Sequence, residues 1–241
     1  VLGWSVTAVA GDPTLLLVPF LAVVALLLAA VALGAPARAE VVVPILSPPP
    51  ADSFQDIGVL NAAGIGGTAE WIARALFGLG RTVVFATLAG LAVRRAGGTV
   101  RPRRHVVALL GSASFGWALW VSQQSSLDPA RDSTVAATAL AFGMLFLPGA
   151  YVAAAEGAGV VRAIGRGFGA GRPLGHIVLV LAYGAALNGL YRLASFGEPA
   201  GGRALPLTLY AFAAAFLTMV FVSALARRAA LRHNAIAPNH P

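Results

Sequence analysis

The sequence predicts an all-α membrane protein: a bundle of six transmembrane helices, with a short interfacial helix between the fourth and the fifth. Three observations predict it. Of 241 residues, 58% are hydrophobic and 11% are charged, against about 45–50% and about 25% in soluble domains. The apolar residues gather in six runs, each near the ~20 residues that a helix needs to cross the hydrocarbon core. The arginines fall between those runs, and they fall unevenly.

The first span is read over Thr14–Gly34. Asp12 opens it as N-cap and Pro13 takes the first helical position, while Pro19 sits early enough to bend the helix only slightly. A long connector follows, about Ala35–Thr68, with Pro44, Pro48, Pro49 and Pro50 and then Gly64, Gly66 and Gly67. It reads equally as a cap on the outer face or as a plain linker. The second span is read over Ala75–Val93, with an amphipathic lead-in from about Thr68 and with Arg81 inside it. The third covers His105–Gln124, the fourth Thr134–Ala155, the fifth Gly175–Phe196 and the sixth Ala204–Ala226. Together they fill the chain and make it one transmembrane domain over residues 1–241.

The charges set the orientation. Arg94, Arg95, Arg101, Arg103 and Arg104 follow span two. Arg162, Arg166 and Arg172 follow span four, and Arg227, Arg228 and Arg232 follow span six. The alternate connectors hold only Arg38, Arg131 and Arg203, with six of the nine acids: Glu40, Asp52, Asp56, Asp128, Asp132 and Glu198. Basic loops stay in the cytoplasm, so an even number of spans places both termini inside and the protein in the plasma (inner) membrane. Ala37-Arg38-Ala39 after an apolar run also fits a signal-peptidase site. The run is longer than usual for one, and no basic segment precedes it.

Composition excludes several chemistries. There is no cysteine, hence no disulfide, thiolate catalysis or Cys-ligated metal. All 17 basic residues are arginine, so no lysine is present to form a Schiff base. There is no HExxH, no Walker A and no Gly-x-Ser-Gly of a rhomboid protease. His105 and His176 fall at span ends, and His233 and His240 in the tail, which does not suit a bis-histidine haem. The expectation is a protein that is not an enzyme, needs no cofactor and binds no nucleic acid. The net charge of +8 is then a preference for anionic headgroups.

Two sets of residues are candidates for function. Arg81, Gln123, Gln124 and Arg192 fall in the outer half of the membrane, with Asn188 one turn before Arg192 and Glu70 as a possible partner. Intramembrane ionisable groups are costly and are functional candidates. Two guanidinium groups with amide donors suit a phosphate or carboxylate. The alternative is that both arginines snorkel to the outer headgroups and that Asn188 bonds across helices. The second set lies at the cytoplasmic interface: Glu156, Arg162, Arg166 and Arg172, with Glu156 read first as a structural ion-pair partner of the arginines and otherwise as a proton-coupling acid. On a helical wheel Val160, Val161, Ile164 and Phe168 share one face, with Arg162 and Arg166 opposite, which describes an interfacial amphipathic helix. The glycines after it read as a hinge, a phosphate nest or a plain connector. Small residues at four-residue spacing, Ala86/Gly90, Ala137/Ala141, Gly149/Ala153 and Ala185/Gly189, allow close helix packing. Trp71, Trp117 and Trp120 read as an aromatic belt.

Two stretches carry a likeness. Asp12-Pro13-Thr14-Leu15-Leu16-Leu17-Val18-Pro19, and Phe146-Leu147-Pro148 with Val152, Glu156-Gly157 and Arg162-Ala163-Ile164-Gly165-Arg166, resemble the first span and the fourth span with its connector in uncharacterised prokaryotic six-span membrane families. The chain is more loosely similar to the membrane domain beside some glycerophosphodiester phosphodiesterases. Gly167 stands where those families usually carry Ser. The resemblance implies six spans and an interfacial lead-in before the first helix. It implies no activity.

Functionally, the sequence points to a protein that binds or moves a lipid or other amphiphile, or acts as a permease-like component. The alternative is a scaffold or accessory subunit, with membrane lipids, a second copy or another protein as partner.

Overall fold

The computed structural model describes residues 1–32, 42, 67–101, 148–167, 173–196 and 204–236. Among these the secondary structure is helical, with no strand. The helices are α1 (Leu2–Ala10), α2 (Pro13–Ala32), α3 (Gly67–Arg95), α4 (residues 148–155), α5 (Val160–Gly167), α6 (Pro173–Phe196) and α7 (Ala204–Ile236). Span three, Gln123, Gln124 and Arg172 lie outside the described residues.

Three stretches are long and apolar enough to cross a membrane: Pro13–Ala32, Leu174–Leu193 and Leu207–Leu231. These match the first, fifth and sixth apolar runs. The boundaries differ in instructive ways. The lead-in to span two is continuous with the span, so α3 runs for 29 residues. Helix α7 continues ten residues beyond Ala226 to Ile236, because Arg227, Arg228 and Arg232 are good helix formers and nothing there breaks the helix. No element was assigned from the residues to Leu2–Ala10, where α1 lies; the resemblance alone implied a lead-in there.

Helix α7 is the centre of the bundle and packs against α1, α2, α3 and α6. Two-thirds of its spanning window is buried, against 28% for α2 and for α6. The contacts fix antiparallel registers. Along α6 and α7, Gly175 abuts the Arg228 guanidinium, the Tyr183 hydroxyl meets that of Thr218, and the Tyr210 hydroxyl donates to the Leu193 carbonyl. From Gly175 to Leu193 in α6 the partners in α7 run backward from Arg228 to Tyr210, 18 residues in each helix. Phe20 against Phe212 and Trp4 under Arg227 set the same relation between the N-terminal helices and α7. Gly80 beside Leu26 and the Asp12–Arg95 ion pair set it between α2 and α3.

One end of the bundle therefore gathers the arginine-bearing termini. Asp12 caps α2, accepting from the Thr14 N–H at 3.0 Å and from the Thr14 hydroxyl, and lies 3.7 Å from Arg95. These contacts, the Thr14 hydroxyl bond foremost, hold the Asp12 carboxyl below the usual aspartate range. Helix α3 ends in a Schellman motif. Gly97, at φ 87°, donates to the Arg94 carbonyl, and Gly98 donates to Val93. Helix α4 ends in the same way. Gly157, at φ 97°, donates to Ala154, and Ala158 donates to Ala153. Only glycine takes this left-handed turn without strain. The two caps are joined, because the Arg101 N–H donates to the Ala155 carbonyl at 2.8 Å and its side chain lies over Gly157.

Candidate functional site

A polar cluster lies inside the bundle. Arg81 occupies the middle of α3, 13 residues before Arg94, or about 20 Å along the axis at ~1.5 Å per residue. Its side chain is only 4% exposed, and neighbouring Thr82 is buried as well. Tyr151 of α4 and Tyr183 of α6 are the electrostatic neighbours of the guanidinium. The Tyr183 hydroxyl is 3.0 Å from that of Thr218 on α7. Four helices thus deliver a guanidinium, two phenols and two hydroxyls to one buried region.

The local sequence explains why these groups hold their places. Phe85, one turn after Arg81, packs edge-on against Tyr151 with centroids 5.2 Å apart, which sets α3 against α4. Tyr183 stacks almost parallel on Phe221, 4.2 Å away at 4°, and its ring is fixed before its hydroxyl meets Thr218. Thr218 and Phe221 are three apart in α7, so both reach the same face of α6. Small residues let the backbones approach: Ala86, Ala89, Ala214 and Ala215 are all buried.

Each residue anticipated from the sequence has a definite place where it is described. Arg81 points into the bundle. Arg192 and Asn188 lie on the exposed side of α6, with Ala185 and Gly189, away from the face that carries Tyr183. The structure therefore does not bring Arg192 and Asn188 to Arg81. Glu156 is half-buried at the α4 cap, and Arg162 and Arg166 are exposed on α5. His176 is buried in the first turn of α6. Among the described residues no three His, Asp or Glu side chains are grouped to hold a metal ion.

Sequence reasoning missed Tyr151, Tyr183 and Thr218. A signal for Tyr183 was present. Interfacial tyrosines sit at span ends, whereas Tyr183 sits near the centre of α6, where a phenol needs a partner.

Chemically, the cluster offers a permanent positive charge and hydroxyls that can donate or accept. It suits an anionic oxygen group, a carboxylate or phosphate, attached to an apolar body that the surrounding Leu, Val and Phe side chains would accept. No protein family, functionally characterised protein or solved structure shows detectable similarity to this chain.

Proposed function

We propose that this chain is a six-helix protein of the inner membrane, with both termini in the cytoplasm, and that it binds or moves an anionic amphiphile at the Arg81 cluster. The observation that carries the reading is Arg81 itself, buried inside the bundle beside Tyr151, Tyr183 and Thr82. A charge at that depth is expensive, and such residues mark ligand and ion pathways.

The six-span topology draws support from the end contacts. Helices α2 and α6 start at the arginine-bearing end, and α3, α4 and α7 finish there. The chain leaves that end at Arg101 and returns to it down α4, which calls for one upward crossing between them. Residues 105–124 supply an apolar run of the right length. On this topology helix α5 lies at the cytoplasmic interface, and the excess of arginine in the sequence on that side supports its being the inside.

The test is native mass spectrometry of the gently purified protein, comparing wild type with Arg81→Met. A co-purifying anionic lipid that is retained by wild type and lost in Arg81→Met supports the reading. Identical lipid occupancy in both refutes it.

One observation favours the scaffold alternative. Ala185, Asn188 and Gly189 form a small and polar strip on the exposed side of α6, which is the chemistry of a helix–helix contact in lipid. A monodisperse monomer in mild detergent that carries bound lipid would count against that alternative.

A further inference from the structure

We propose that the corner between α4 and α5 is a docking surface for anionic phospholipid headgroups, independent of Arg81. Helix α5 rests on the bundle through Ala163, which is fully buried with Ala150, Ala153, Ala154 and Ala158. At 100° per residue, Val161 then projects on nearly the opposite side, and it is 86% exposed. Arg162 and Arg166 are one turn apart on one flank, both exposed. Arg101, also exposed, lies across Gly157 at the same corner. One helix therefore presents a bundle-facing side, a bare apolar side and a guanidinium flank.

That division fits a bilayer surface and no other partner as well. A valine so exposed gains nothing in water, but it is at home at the boundary of headgroups and acyl chains. Guanidinium groups bind phosphate through paired N–H donors, which lysine cannot match. Residues 157–172 carry no acid, and Glu156 beside them is half-buried at the α4 cap, one carboxylate against the several guanidinium groups of the corner. An RNA or an acidic protein would satisfy the arginines and leave Val161 exposed. The placement at the inner leaflet rests on the spanning topology proposed above; the surface itself does not involve the intramembrane cluster.

The natural chain has no cysteine, so Val161→Cys introduces a unique thiol for a polarity-sensitive fluorophore. The full chain is reconstituted in vesicles of phosphatidylcholine with and without phosphatidylglycerol. Phosphatidylglycerol should shift the emission to the blue and deny access to a water-soluble quencher. Adding Arg162→Gln and Arg166→Gln should abolish both effects and weaken the preference for phosphatidylglycerol by about 25-fold, roughly fivefold per arginine near an anionic surface. Equal quenching in the two membranes, insensitivity to the arginine changes, or displacement by RNA would overturn the proposal. So would shielding that persists in detergent, which means that protein covers Val161. Release of the chain from vesicles by alkaline wash would instead refute the spanning topology, so the two failures are distinguishable.

Discussion

The Gly157 cap allows the sharpest mechanical test, because two glycines of the same kind differ in one contact. Gly97 and Gly157 both occupy the left-handed position of a Schellman motif. Alanine in that conformation costs roughly 1–2 kcal/mol, offset in part by ~0.4–1 kcal/mol from a stiffer unfolded chain. At Gly97 a Cβ would meet nothing within 4 Å, so the net cost of Gly97→Ala should be about 1 kcal/mol or less. At Gly157 the Cβ would fall 2.6 Å from Arg101 Cδ and 3.3 Å from its Cβ and Cγ. The Arg101 backbone cannot retreat freely, because its N–H is bonded to Ala155. Overpacking of this kind adds about 1–3 kcal/mol, so Gly157→Ala should cost about 2–4 kcal/mol. Arg101→Ala removes Cγ and Cδ, and in combination with Gly157→Ala it should recover at least ~1 kcal/mol as a coupling energy. The assay is thermal or denaturant unfolding in mild detergent across the four variants, with Gly97→Ala as reference. Equal losses at Gly97 and Gly157, or no recovery in the double variant, would refute the claim that Arg101 straps the ends of α3 and α4 together.

Tyr183→Phe keeps the stacking on Phe221 and removes the hydroxyl that meets Thr218. It should cost ~0.5–1.5 kcal/mol, and Tyr183→Phe with Thr218→Val should cost less than the sum of the single changes. Additive losses in unfolding would show that the two hydroxyls are not coupled. The Asp12 carboxyl is held below its ordinary range, so its contribution is present above the unfolded aspartate pKa and is lost as pH falls through the depressed value. Asp12→Asn keeps a capping oxygen and loses the titration, so an acid melting series should flatten for it relative to wild type; superimposable profiles would contradict this. Trp4 sits 5.1 Å below the Arg227 guanidinium, and Arg227→Gln should weaken the docking of α1 by about 0.5–1 kcal/mol. The readout is Trp4 accessibility to a soluble quencher in a variant lacking the other three tryptophans, and unchanged quenching would argue against the contact.

The parts of the fold that were legible were those written in local chemistry. The Asp12-Pro13 start of α2 follows from caps and from an unbroken apolar run, and the start of α7 at Ala204 from its apolar run. The amphipathic stretch at Val160–Gly167 was visible in the spacing of valines and arginines. The missing pieces depend on neighbours distant in sequence. Helix α1 is apolar on most sides and too short to declare itself, and it is a helix in this place because Ser5, Ala8 and Val9 bury against other helices. Gly97 and Gly157 carry a readable C-cap pattern, but their strap through Arg101 joins residues more than fifty apart. The candidate site was half legible. Arg81 stood out as a charge in an apolar run, whereas its neighbours come from helices far along the chain, and no spacing relates them. Depth along a helix was readable for Arg81 and Arg192 alike, but the direction each faces was set by rotation within the bundle. One points in and the other out.

That rotation is what makes Arg81 rather than Arg192 the candidate of the proposed function. A guanidinium at the centre of a spanning helix costs about 2.5–3.5 kcal/mol on insertion scales, and replacing a whole buried ion pair by apolar groups is often neutral for stability, whereas removing one partner alone costs about 3–5 kcal/mol. Arg81→Met is therefore checked for a native unfolding transition in mild detergent before its lipid content is compared with that of wild type. The surrounding phenols are also held in advance: Tyr151 is gripped by Phe85, and Tyr183 by Phe221 and Thr218. Groups fixed before a ligand arrives lose little freedom when it binds. Under the proposed function, a buried positive charge set beside hydroxyls that packing has already oriented would receive an anionic headgroup carried on an apolar body.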